Sequence, residues 1–241
     1  MKMDKSYRTA AVVLAAGSGK RMNAGVKKQY MEIAGKPVLY YSLKAFEESF
    51  IDEVVLVVSQ DEVEQVEESY VNQYGFHKVS RIVVGGKERY HSVACGLRAV
   101  HPDCDFVFIH DSARPMLTQE ILQNVYREVQ KEGACVVGVA SKDTVKIADE
   151  QGYVSVTPNR SLVWNVQTPQ VFSYPLVHRA YEELLQKEQE LLKAGVQITD
   201  DAMVVEQLAH HKVKLVEGSY ENIKITTPED VQIAERYLQS R

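Results

Sequence analysis

Four cations gather around one glycine-bearing turn near the start of the chain. Leu14-Ala15-Ala16-Gly17-Ser18-Gly19-Lys20-Arg21-Met22 leaves a short apolar run, and Lys27 and Lys28 follow shortly after. Glycine has no Cβ, so backbone N–H groups there can turn toward a ligand and approach it closely. With cations beside it, such a turn suits a polyphosphate. The spacing is not G-x-x-x-x-G-K-[ST], which disfavours a P-loop ATPase. Met22 stands where a dinucleotide fingerprint needs glycine or alanine, which disfavours a nicotinamide oxidoreductase. A second group with chemical potential is His110-Asp111-Ser112-Ala113-Arg114-Pro115, directly after another apolar run. Asp111 offers a carboxylate there, although a turn or helix-cap role would also place an aspartate at such a point. Arg160 and Lys224 lie far along the chain, and taken alone they read as ordinary surface cations.

Some scaffold must position the opening turn and the His110–Pro115 block. Short β-branched runs at 11–15, 53–58, 81–84, 106–110, 135–139 and 213–216 alternate with amphipathic stretches at 37–46, 61–74, 89–100, 119–132, 176–192, 200–210 and 228–238. This alternation predicts one α/β domain over 1–241, doubly wound and Rossmann-like, with a mostly parallel sheet covered by helices on both faces. Ligands in such sheets bind beyond the carboxyl ends of the strands, where both candidate groups fall. The rhythm breaks from 141 to about 171. Alternation on either side of Asp149-Glu150-Gln151-Gly152 predicts a hairpin with few large apolar residues. Such an insertion, at about 141–163, reads either as a protruding arm that packs on a partner subunit or as a plain surface hairpin.

The bulk properties narrow the class of ligand. The 241 residues carry 28 basic and 33 acidic side chains, a formal net charge of −5. Binders of nucleic acid or membrane surfaces usually carry a basic excess, so local cations in an acidic chain point to a small anionic ligand. Cys95, Cys104 and Cys135 are odd in number and form no C-x-x-C pair, which predicts reduced thiols and a cytoplasmic protein. No apolar run reaches the roughly 18 residues of a membrane span. Lys2, Lys5 and Arg8 precede an apolar run, but Gly-Ser-Gly-Lys-Arg follows where a signal peptide needs a cleavage site.

Several blocks together carry a resemblance. Leu14-Ala-Ala-Gly-x-Gly-x-Arg21-Met and Lys28-Gln29-Tyr30 come first, then Gly85-Gly86-Lys-Glu-Arg89-x-x-Ser92 and His110-Asp111-Ser-Ala-Arg114-Pro115. Asp143-Thr144-Val-Lys146, Arg160-x-x-x-Trp164-x-x-Gln167-Thr168-Pro169-Gln170, Thr199-Asp200-Asp201-Ala202 and Asn222-Ile223-Lys224 complete the set. In this order the blocks resemble the sugar- and polyol-phosphate nucleotidyltransferases, and among them the methylerythritol phosphate cytidylyltransferases. Each block alone is weakly specific; their order across nearly the whole chain is highly specific.

The resemblance implies transfer of CMP from CTP to a polyol phosphate, with Mg²⁺ and with composite sites in a homodimer. It implies that Ala15, Ala16, Gly17, Gly19 and Arg21 wrap the CTP triphosphate, and that Arg21 and Lys28 stabilise charge during transfer. Gly86, Arg89 and Ser92 would lie by the cytosine. Asp111 and Arg114 would sit where the two substrates meet, with Asp111 the one candidate protein ligand for Mg²⁺. Thr144, Arg160, Thr168 and Lys224 would bind methylerythritol phosphate, Thr144 and Arg160 reaching over from the partner's arm, and Arg160 and Lys224 would share in catalysis. Leu14 and Ser112 depart from the usual proline and alanine at those points. Two alternatives stay open: a ribitol-5-phosphate cytidylyltransferase, and a non-catalytic nucleotide-binding module on the same fold.

Overall fold

The computed structural model describes residues 7–17 and 27–240. Gly19, Lys20, Arg21 and Met22 lie outside the described residues.

Strands β1 (Thr9–Leu14), β4 (Glu53–Val58), β5 (Val79–Val84), β6 (Phe106–Asp111), β7 (Ala134–Ala140), β10 (Trp164–Ser173) and β11 (Lys214–Glu217) form one sheet in the order β11-β7-β10-β6-β1-β4-β5. The minor strands β2 (Glu32–Ile33) and β3 (Lys36–Pro37) pair with each other, as do β8 (Ile147–Ala148) and β9 (Val154–Val156). Helices α1 (Val38–Glu47), α2 (Val63–Val66), α3 (Arg89–Ala99), α4 (Gln119–Glu132), α5 (Tyr174–Lys193), α6 (Asp201–Leu208) and α7 (Pro228–Gln239) complete the fold. Among the described residues no helix is long and apolar enough to cross a membrane.

The sheet is covered on both faces because β1, β4, β6 and β7 are apolar along most of their length. Successive strand side chains point to opposite faces. Ala11 and Val13 of β1 pack into a core with Leu39, Leu43 and Phe46 of α1 and Leu122 and Val125 of α4. Ala10 and Val12 join Val93 and Leu97 of α3 and Val177 and Tyr181 of α5 on the other side. Neighbours β4 and β6 run parallel to β1 on its two sides. The chain thus leaves β1 one way and later returns on the other side, a switch point that opens a crevice at the strands' carboxyl ends.

Two segments differ from the sequence-based expectation. The stretch expected as one helix at 61–74 begins as a 3-10 turn at Gln60–Glu62, passes through α2 and widens into π geometry over Glu67–Asn72. The hairpin region also ends differently. The chain turns at 149–152 between β8 and β9, where the N–H of Gly152 donates to the carbonyl of Asp149 at 3.1 Å. It then returns into the central sheet as β10, antiparallel to both β6 and β7. No strand was expected there, because Asn165, Gln167, Thr168, Pro169 and Gln170 give the segment polar residues and a missing N–H. Its pairing with β7 shifts register between Val166 and Gln170, around Pro169.

Candidate active site

Two adjoining cavities open beyond the carboxyl ends of β1 and β6. The first holds about 320 Å³ and is lined by Ala15, Ala16, Gly17, Lys28, Gln29, Gly86, Lys87, Glu88, Ser92 and the 111–113 turn. The second holds about 350 Å³ and is lined by Arg114, Val166, Gln167, Thr168, Gln170, Thr199 and Asp200. Both are also lined by Arg89, Asp111 and Lys224, which form the wall between them.

That wall is an alternating set of charges. Asp111, the last residue of β6, accepts from Nε of Arg89 at 3.1 Å through Oδ1 and from Nζ of Lys224 at 2.5 Å through Oδ2. Arg89, the first residue of α3, grips the fully buried Asp201 with both terminal nitrogens, at 2.8 and 2.9 Å. Tyr181 of α5 donates its hydroxyl to the same Asp201 at 2.5 Å. Gln170 on β10 fixes the start of α6: its amide donates to Asp200 at 3.0 Å and its oxygen accepts from the N–H of Ala202 at 2.7 Å. The chain of support runs from β10 to α6 to Arg89 to Asp111. Burial alone pushes the Asp111 carboxyl up, but Arg89, Lys224 and Arg114 outweigh it and hold the group far below the usual carboxylate range. Burial pushes the Arg89 guanidinium down, and Asp201 and Asp111 more than reverse this, so it stays charged.

Arg114 in the second cavity is held differently. Its terminal nitrogens donate to the carbonyls of Asn222 at 2.8 Å and Val166 at 3.4 Å. Its buried Nε finds no acceptor, and among the described residues no carboxylate forms an ion pair with it. Burial lowers its pKa, with the nearby Asp111 acting against that. A buried guanidinium balanced mainly by carbonyls attracts an anion.

The first cavity is shaped by backbone. A Cβ on Gly17 would meet nothing within 4 Å, so the glycine borders open space. A Cβ on Gly86 would fall 2.3 Å from Cβ of His91, so no side chain fits there. The N–H of Gly86 donates to Oγ of Ser92 at 3.1 Å, fixing the turn against the first turn of α3. Gln29, almost fully buried, donates to the carbonyls of Ala15 at 2.6 Å and Gly17 at 3.2 Å. It thereby occupies two carbonyl oxygens that would repel a phosphate.

The fold thus gathers Ala15, Ala16, Gly17, Lys28, Gly86, Arg89, Ser92, Asp111, Arg114, Thr168 and Lys224 around two connected cavities. It does not bring Thr144 or Arg160 to the lining of either one. Arg160 follows the arm, and its guanidinium reaches the carbonyl of Lys142 at 3.4 Å. Gly19 and Arg21 lie outside the described residues. Arg89 has three of its five N–H donors committed to carboxylates, which leaves two for any base beside it. Sequence reasoning gave no role to Gln29, Gln170, Tyr181 or Asp201. The adjacent acids Asp200-Asp201 signal a helix start, and Asp200 does cap α6 through the N–H of Met203 at 3.0 Å. Nothing local in the sequence links Asp201 to Arg89.

Comparison with known proteins converges on one group. The family model described as "IspD: 2-C-methyl-D-erythritol 4-phosphate cytidylyltransferase" matches residues 9–240. The chain is 49% identical over 231 residues to the 2-C-methyl-D-erythritol 4-phosphate cytidylyltransferase of Lachnoclostridium phytofermentans, covering 96% of each chain. It is 44% identical over 240 residues to that of Alkaliphilus oremlandii, covering 99% of this chain and 98% of the other. The crystal structure of the 4-diphosphocytidyl-2C-methyl-D-erythritol synthase from Anaerococcus prevotii superposes with a TM-score of 0.84 at 35% identity, covering 97% of this chain and 96% of that one.

Proposed function

The chain belongs to the 2-C-methyl-D-erythritol 4-phosphate cytidylyltransferase family, and from that premise we propose how its residues carry out the reaction. The reaction transfers CMP from CTP to 2-C-methyl-D-erythritol 4-phosphate, giving 4-diphosphocytidyl-2-C-methyl-D-erythritol and pyrophosphate, a step of non-mevalonate isoprenoid precursor synthesis. The observation that carries the assignment of roles is the shared wall: two cavities meet at Asp111, Arg89 and Lys224. CTP occupies the first cavity, with its triphosphate along Ala15, Ala16 and Gly17 and on toward Gly19 and Arg21, and its base near Gly86, Arg89 and Ser92. The polyol phosphate occupies the second, drawn by Arg114 and Lys224, with Thr168 beneath it.

Attack needs no general base. A phosphate monoester has a second pKa near 6, so it is mostly a dianion at neutral pH. One of its oxygens attacks the α-phosphorus and pyrophosphate leaves in line. The obstacle is repulsion between two polyanions, and positioning with fixed cations answers it. Arg21 and Lys28 act on the triphosphate side, and Arg160 and Lys224 on the acceptor side. Asp111 serves this by holding Lys224 and Arg89 in place.

Mg²⁺ commonly keeps several waters and takes one or two carboxylates besides substrate phosphates. Asp111 fits that demand, because each of its oxygens accepts one of the two hydrogen bonds described and retains a further lone pair. When bound, the ion supplies neutralisation of phosphate charge.

The active unit is a homodimer in the cytoplasm. Tyr153 at 72% and Leu162 at 77% exposure, with Ile147, Val154 and Val156 also exposed, make the arm an apolar surface suited to a second copy. In such a dimer Thr144 and Arg160 complete the partner's acceptor site. The test offers the protein CTP and Mg²⁺ with either methylerythritol phosphate or ribitol 5-phosphate and follows pyrophosphate. Release with methylerythritol phosphate is expected; release with ribitol phosphate alone rejects the assignment.

A further inference from the structure

His110 lies fully buried under the wall of the second cavity, edge-on to the ring of Phe46 with centroids 5.5 Å apart. Its two nitrogens have different partners. Nε2 faces the carbonyl of Arg114 at 3.2 Å, and Nδ1 faces Oγ1 of Thr168 at 3.0 Å. A carbonyl only accepts, so Nε2 must carry the proton. The ring is fully buried and its nitrogens face a carbonyl and a hydroxyl rather than a carboxylate, so an imidazolium there would be an unpaired buried charge, and the neutral ring leaves Nδ1 as a bare lone pair. Thr168 must then donate its hydroxyl proton to Nδ1. The same hydroxyl oxygen also accepts the backbone N–H of Asp111 at 3.1 Å. This bond lies beside the register shift of β10, where the regular ladder is interrupted.

We propose that His110 is a positioning residue for the acceptor site: it takes the proton of Thr168, so that Thr168 can meet a ligand only as a hydrogen-bond acceptor. A hydroxyl whose proton is committed to His110 gives nothing to a phosphate oxygen. It suits a donor, and a polyol hydroxyl is one. Recognition of the phosphate falls to cations such as Arg114, and Thr168 reads the carbon chain. His110 also ties β10 to the turn carrying Asp111 and Arg114, in which the N–H of Arg114 donates to the carbonyl of Asp111 at 3.0 Å. The proton direction stands on the hydrogen-bond partners and the burial of the ring; the identity of the donor rests on the function proposed above.

Two measurements test this. In ¹⁵N NMR of the wild-type protein at pH 7, His110 is expected as the neutral tautomer protonated at Nε2. Protonation at Nδ1, or a doubly protonated ring, overturns the proposal whatever the substrate proves to be. In kinetics, Thr168→Val and His110→Phe are each expected to raise KM for methylerythritol phosphate about tenfold, the effect of one lost hydrogen bond. KM for CTP should stay within about twofold of wild type, because His110 lies away from the first cavity. Thr168→Ser keeps the hydroxyl and should hold the wild-type KM. The double variant should be no worse than either single one, since both act through one bond. Multiplicative losses, an equal rise in KM for CTP, or failure of Thr168→Ser to retain KM overturns it. Should His110→Phe not fold, the NMR result and the two Thr168 variants still decide. An enzyme active only on ribitol phosphate would refute the function while leaving the tautomer result intact.

Discussion

The wall between the cavities and the arm at 141–163 solve opposite problems. In the wall, every charge finds an opposite within the chain: Asp111 with Arg89 and Lys224, and Arg89 with Asp201. In the arm, apolar side chains stand in solvent, and the guanidinium of Arg160 has only a backbone carbonyl as hydrogen-bond partner among the described residues. The first region is finished by its own fold. The second makes sense when another surface covers it. A site built from both would be rigid where the phosphates meet and dependent on assembly where the acceptor is gripped.

The largest effect should come from breaking the wall. Arg89→Ala strands the buried Asp201 without its cation, and loss of one partner of a buried pair costs about 3–5 kcal/mol. Urea unfolding measures this; a loss under 1 kcal/mol would mean that the wall is not a structural unit. Asp111→Asn removes the charge between Arg89 and Lys224 while keeping the shape. A fall in kcat of at least about 100-fold is expected, with the circular dichroism unchanged. Retention of kcat would remove Asp111 from the reaction.

Smaller effects test the arm. When Lys28→Ala is mixed with Arg160→Ala, random exchange puts one intact composite site in each hybrid. About a quarter of wild-type activity should return from two inactive parents. No recovery would show that Arg160 does not act across subunits. Leu162→Asp should shift the oligomer toward monomer in analytical ultracentrifugation, yet change stability of the protomer by no more than about 0.5 kcal/mol, because its side chain packs on little within the chain. A large loss of stability with the dimer intact would make the arm an ordinary part of the fold and dissolve the contrast.

Much of this molecule is local in origin. The apolar runs that became β1, β4, β6 and β7 are readable because strands buried on both faces need apolar residues at every position. The turn after β1 and the His110–Pro115 block are readable as ligand-binding because parallel sheets place such turns at one edge. β10 was hidden for the same reason that it matters. Gln167, Thr168 and Gln170 are polar yet buried, and each makes hydrogen bonds that shape the site, so the segment lacks a strand's apolar signature. The 61–74 run was legible as helical but not as a helix that changes its winding.

Fold class and family are legible in the chain, because they rest on residue types at short spacing or in fixed order. Which charges neutralise one another emerges only from packing. Arg89 and Asp201 are 112 positions apart, and Asp111 and Lys224 are 113 apart. No local pattern encodes such pairs, since their geometry depends on how α3 and α6 begin beside the end of β6. The direction of the proton between Thr168 and His110 likewise follows from a carbonyl on a neighbouring turn together with burial of the ring, both of which exist only once the chain has closed around it.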